Sequence, residues 1–143
     1  MRPPGCRLSS RALDVLFNSL CRFVLRCPYN THHCQMYSSL NWLQPKSRRQ
    51  LHWFLFIYKC IHFRCPAYLK QYLTQTTSSY PLRHLQHPYF NVPRISNTTG
   101  RQSFCYKAPS DWNNLPLHLR SIPSYRSFRT SLYSHLDSTC HCF

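Results

Sequence analysis

Carboxylates that could hold a catalytic metal number three, Asp14, Asp111 and Asp137, with no glutamate in 143 residues. Two-metal polymerase and nuclease centres need acidic side chains clustered around divalent cations. Asp14 falls in the first turns of a predicted helix, Asp111 at the start of another and Asp137 just beyond a third. Capping and helix-dipole pairing are the ordinary roles there. A polymerase or endonuclease centre is thereby excluded, and the chain is expected to have no enzymatic activity of its own. Cysteine and histidine are plentiful, nine of each, yet no local signature marks a Cys–His nucleophile, which needs a positioned base.

Zinc is the sharper alternative. Cys27 and Cys34 bracket His32 and His33, Cys60 and Cys65 flank His62, and Cys140, His141 and Cys142 crowd the end of the chain. Structural zinc favours C-x₂₋₄-C and H-x₃₋₅-H pairs. Only Cys60-x₄-Cys65 fits, and a buried thiol is ordinary in an apolar helix such as the one expected around Cys60. No metal ligand and no cofactor is assigned.

Positive charge is the stronger signal. Eighteen Lys and Arg against three acids give a net charge of +15, and Arg outnumbers Lys by 14 to 4. The planar guanidinium pairs bidentately with phosphate and stacks on bases, so the bias suits nucleic acid. A reading frame that never selected acidic residues gives the same excess, and that alternative stays open. The candidate contacts are Lys46, Arg48, Arg49, Arg101, Lys107, Arg120, Arg126 and Arg129, interleaved with Tyr106, Trp112 and Tyr125. Alternating Arg and aromatic rings make phosphate clamps and stacking platforms for RNA or single-stranded DNA. Trp112 is read instead as core packing. Asn97-Thr98-Thr99 is a glycosylation sequon read as turn chemistry.

Leu, Ile, Val and Phe make up 34 of the 143 residues, above the roughly 20% below which disorder is the default. One small domain with a modest core is therefore expected. Many prolines, polar loops and self-repulsion at +15 make it marginally stable alone, gaining order with a polyanion. The N-terminus has no apolar signal core, so nine cysteines point to a reducing setting, cytoplasmic or nuclear, rather than a secreted disulfide framework. Leu51 to Phe63 is too short to span a membrane.

These candidates are positioned by a mainly α fold with one small β-hairpin. Residues 1–11 form an N-terminal extension and 12–73 a helical half. A linker candidate at 74–79 precedes a half at 80–143 built from the hairpin and a C-terminal helix. Leu13, Leu16, Phe17, Leu20 and Val24 recur at the i, i+3, i+4, i+7 spacing of an apolar helix face over 12–26, with Ser10 as N-cap and Cys27-Pro28 as the stop. A short apolar segment spans Met36 to Leu43. Pro45 suits the first turn of a buried helix at 46–63, and Pro66 opens a short one through Leu73. Phe90–Ile95 and Gln102–Lys107 alternate about Asn97–Gly100, which predicts the hairpin, with Gly100 supplying a positive φ. Pro109 starts a short helix that Pro116 ends. The last helix, 125–136, is capped by Ser124 and turns Tyr125, Phe128, Leu132 and Leu136 to one side, against Trp53, Phe54, Ile57 and Ile61.

The order Gly100-Arg101, Ser103-Phe104, Ala108-Pro109, Trp112-Asn113, Leu115-Pro116, Leu119-Arg120 resembles the far C-terminal region of the reverse-transcriptase polyprotein of non-LTR (LINE-like) retrotransposons. Upstream, Leu40-Asn41-Trp42-Leu43 is similar to that family's L-H-W-L. Tyr58-Lys59-Cys60-Ile61-His62 followed by Pro66-Ala67-Tyr68-Leu69 resembles its Y-K-A-L-H-G-x-x-P-x-Y-L. Val92-Pro93-Arg94 sits at its V-P-R, and Phe128-Arg129, Leu132 and His135-Leu136 match its closing motif. Gln44-Pro45 shifts the family's proline by one position, and Phe63 stands where it has glycine. The resemblance covers about Leu40 to Leu136 and implies a fragment lying downstream of the catalytic part of an RNA-directed DNA polymerase. It would be an accessory segment that holds RNA or single-stranded DNA nonspecifically, possessing the upstream reverse-transcriptase domains as partners and no membrane. A structural tail packing on the polymerase, and a transposon relic without function, are the alternatives.

Overall fold

The computed structural model describes residues 10–62, 65–75 and 89–137, and among these the chain is mainly helical. In chain order the elements are α1 (Ser10–Leu25), α2 (His33–Leu40), α3 (Pro45–His62), α4 (Ala67–Lys70), a 3₁₀ turn (Gly100–Gln102), α5 (Phe104–Asn114), α6 (Leu117–Arg120) and α7 (Tyr125–Asp137). The chain divides into two compact units, Met1–Gln50 with Ser134–Phe143, and Leu51–Tyr133. The division falls inside α3 and α7. Part of the 74–79 linker lies outside the described residues.

In the first unit, α1 ends where Arg26 adopts a left-handed φ of 51°, just before Cys27-Pro28. Asn41, at φ 52° and ψ 44°, closes α2 in the same way. Asparagine tolerates this conformation better than other non-glycine residues. The N–H of Trp42 then returns to the Tyr37 carbonyl at 2.9 Å. His32 caps the start of α2, its Nδ1 accepting the Cys34 N–H at 3.4 Å. The small core is Cys21, Met36 and Tyr37, flanked by Phe17, Leu25, Leu40 and Trp42. The Tyr37 hydroxyl also donates to Asn18 Oδ1. Helical spacing correctly predicts α1, but Leu13, Leu16, Leu20 and Val24 of the predicted core face are exposed. Ser10 is the first described residue of α1, and the capping expected of its side chain lies outside what the structure describes.

In the second unit, α3 is the spine. Leu51, Leu55, Ile57, Tyr58 and Cys60 are buried along it, starting from an N-terminus set by Pro45. The centre is aromatic: Tyr58 stacks on Phe128 of α7 at 4.4 Å, and Trp112 of α5 lies 5.9 Å from Phe128 and 6.4 Å from Phe90. The Tyr58 hydroxyl donates towards the carbonyls of Pro123 at 2.7 Å and Ile122 at 3.0 Å, fixing the α6–α7 loop. The predicted pairing of α3 with α7 rests on Tyr58 stacked on Phe128; Ile57 is buried, while Trp53, Phe54 and Ile61 are only half-buried.

The hairpin does not form among the described residues. Phe90 makes one isolated antiparallel bridge, to Gln75. Its backbone is instead satisfied by the side chain of Asn113, whose Oδ1 accepts the Phe90 N–H at 3.0 Å and whose Nδ2 donates to the Phe90 carbonyl at 2.8 Å. One asparagine thus supplies the two bonds that a neighbouring strand would give. The second predicted strand is helical from Phe104, because a helix stacks Ala108 beneath Trp112 one turn later and buries both completely. Short apolar runs are ambiguous by periodicity, and that burial decides this one. Pro109 therefore lies inside α5 rather than at its start. Gly100 does not take a positive φ; its N–H bonds Asn97 Oδ1 at 2.6 Å, the turn role expected of that sequon. A side chain at Gly100 would come within 2.6 Å of Ile95 Cγ2, so the glycine is needed for close approach.

Candidate nucleic-acid interface

The predicted basic residues divide between the units. Lys46, Arg48 and Arg49 stand exposed on the first turns of α3, in the first unit. Their charge opposes the helix dipole there, and Arg49 turns back so that its Nε donates to the Pro45 carbonyl at 3.3 Å. Arg101, Tyr106, Lys107, Arg120, Arg126 and Arg129 belong to the second unit.

Two of these meet. Arg101 on the 3₁₀ turn and Tyr106 in the first turn of α5 line one open cleft of about 540 Å³, together with the extended segment Val92–Ser96. The wall is built by the motif itself: Pro93 suits an extended chain that needs no ladder donor, and Arg101 Nε donates to the Ile95 carbonyl at 3.1 Å. That bond pins the guanidinium at the rim and leaves its two NH₂ groups as further donors. Arg94, also lining the cleft and exposed, is the functional candidate missing from the predicted set. Its position in Val92-Pro93-Arg94 was the available signal.

The other basic residues are differently employed. Lys107 Nζ lies 3.2 Å from Asp111 Oδ2, and that same carboxylate oxygen accepts the Trp53 indole N–H at 2.8 Å. Lys107 is thus partly neutralised, and Asp111 serves as a structural acceptor between α3 and α5. Arg120 Nε donates to the Leu115 carbonyl at 2.9 Å, tying α6 to the end of α5. Arg126 and Arg129 are exposed on α7. Trp112 is fully buried, as core packing requires, with Phe90 above it rather than a hairpin. Tyr125 is half-buried beneath Lys59, whose Nζ lies 5.3 Å from the ring centre.

Among the described residues the grouping with metal-ligand geometry is His32, His33 and Cys34, whose donor atoms lie within 4.8 Å of one another. Cys34 is disulfide-bonded, which departs from the thiols expected in a reducing setting, and His32 Nδ1 is taken by the helix cap, so two of the three donors are committed. Burial, with His32 and Arg22 nearby, lowers the His33 pKa from its ordinary value. The predicted Cys60–Cys65 pair is close, Cys65 Sγ donating to the Cys60 carbonyl at 3.4 Å. Burial and the neighbouring Cys65 push the Cys60 thiol up to about 11, away from the thiolate that a metal or an electrophile needs. Cys140, His141 and Cys142 lie outside the described residues. No helix among the described residues is long and apolar enough to cross a membrane.

Comparison with known protein families, with curated proteins and with solved structures finds no match.

Proposed function

We propose that this chain is a non-catalytic nucleic-acid-binding segment, akin to the C-terminal region of a non-LTR retrotransposon reverse transcriptase. It holds RNA or single-stranded DNA nonspecifically, beside upstream polymerase domains in the cytoplasm or nucleus. The observation that carries this reading is the cleft lined by Arg94, Arg101 and Tyr106. Two guanidinium groups reach successive phosphates, while an aromatic face accepts a base of any identity. Arg126 and Arg129 on α7 of the same unit add long-range attraction. The ordered motifs from Leu40 to Leu136 supply the family, and the three scattered aspartates accord with a role without chemistry.

Binding to a fluorescent single-stranded RNA, titrated with salt, tests the reading. Contact with several phosphates gives a linear fall of log affinity with log salt, by about 0.7 per phosphate on a single strand. A flat response, or no binding at low salt, would favour a tail that only packs against the polymerase. Template-dependent primer extension by the purified chain, above a heat-killed control, would overturn the non-catalytic assignment.

A further inference from the structure

Helix α1 has two apolar faces. One runs through Phe17, Cys21 and Leu25 and packs on α2 within its own unit. The other consists of Leu13, Leu16, Leu20 and Phe23, which are 41%, 65%, 49% and 82% exposed. Steps of three, four and three residues are those of the a and d positions of a heptad. The four side chains expose roughly 500 Å², near the upper end of what monomers leave in one patch. Two such faces together approach the roughly 1,000 Å² that an interface should clear, short of the roughly 1,200–2,000 Å² of stable complexes, so a weak pair is expected.

The chemistry of the stripe's edges selects the occupant. Ala12 and Ser19 border it on one side and Val24 on the other, while Arg11 and Arg22 lie across the helix at 100° per residue. A helix that lies on a bilayer brackets its apolar face with Lys or Arg that reach the headgroups, and no such pair is present here. An uncharged, repeating stripe is complementary to itself, as a two-fold interface requires. We infer that α1 is a self-association surface: two copies of this chain pair through Leu13, Leu16, Leu20 and Phe23. Antiparallel pairing sets Leu16 against Leu20 of the second copy and Leu13 against its Phe23, and it opposes the two helix dipoles favourably. Each copy carries a charge of +15, so repulsion weakens the pair at low salt. Screening strengthens it, opposite in sign to the salt dependence of nucleic-acid binding.

Sedimentation equilibrium on the nuclease-treated full chain, at about 0.1 M and about 0.5 M sodium chloride, is the test. The expected result is a species of twice the 17.2 kDa chain mass, favoured at the higher salt. Leu16→Glu and Phe23→Glu each raise the dissociation constant more than about tenfold with helix content by circular dichroism unchanged. Val15→Glu, also exposed but off the stripe, leaves it unaltered. Should a glutamate unwind α1, Phe23→Gln repeats the measurement without added charge and is expected to weaken the dimer likewise. A monomer at both salts, or a dimer that keeps its affinity in the stripe variants, overturns the inference. So does a monomer whose uptake by phosphatidylserine vesicles is lost on Phe23→Glu.

Discussion

In the unit Leu51–Tyr133, Tyr58, Phe90, Trp112 and Phe128 are at most 2% exposed, whereas in the unit containing α1, Phe23 is 82% and Tyr29 88% exposed. The two regions draw on the same residue types, so composition does not separate them. Convergence does. The aromatic centre receives side chains from α3, the Phe90 segment, α5 and α7, and each element covers what the others leave open. Helix α1 is packed on one side by α2, and Phe23 on its far side stays 82% exposed. A ring contributes to stability only where several segments meet around it, because the hydrophobic contribution follows the area withdrawn from water.

The largest effect that would break this contrast lies in the core. Trp112→Ala is expected to cost about 3–5 kcal/mol, read from urea unfolding followed by circular dichroism. Phe23→Ala, measured on the monomer, should stay within about 0.5 kcal/mol. Equal costs would show that the regions do not differ as described.

Next comes the cleft. Tyr106→Ala should weaken single-stranded RNA binding by about 1–3 kcal/mol, and Arg94→Ala with Arg101→Ala should flatten the log–log salt slope by about 1.4. A larger loss from the pair Arg48→Ala and Arg49→Ala would move the interface to the other unit.

Tyr58→Phe sharpens the account of the core itself. Losing the hydroxyl that fixes the Ile122 and Pro123 carbonyls should cost about 0.5–1.5 kcal/mol, since Pro123 is exposed and water can replace the donor. Burial raises the Tyr58 pKa above its ordinary value. The unfolded phenol then ionises first, so this contribution is complete below about pH 10 and is lost as pH rises through the folded value. The stability gap between wild type and Tyr58→Phe should therefore narrow from pH 9 to pH 11 in urea midpoints. A constant gap would show that the buried phenol is not the group responsible.

The smallest effect is expected at Lys107. Its ion pair with Asp111 is an i, i+4 pair with the lysine side chain 45% exposed, so Lys107→Ala should change stability by only about 0.3–0.5 kcal/mol. A loss above 1 kcal/mol would mean that Lys107 positions the Trp53–Asp111 bond.

The local features legible in the sequence were those with a local cause. Pro45 set the start of α3, Cys27-Pro28 followed the end of α1, and the apolar run after Leu51 made the buried spine, because proline geometry and helical periodicity act over a few residues. The motif around Arg101 and Tyr106 likewise carried both cleft residues by type and spacing. The tertiary structure decided what depends on partners far along the chain. Asn113 took the place of a second strand beside Phe90, and burial of Ala108 and Trp112 drew residues 104–107 into a helix across Pro109. Arg94 joined Arg101 in lining one cleft only through the fold. Periodicity showed that α1 is a helix with apolar stripes, but not which stripe is covered. Helical spacing is a property of one segment, while burial belongs to the segments that meet it.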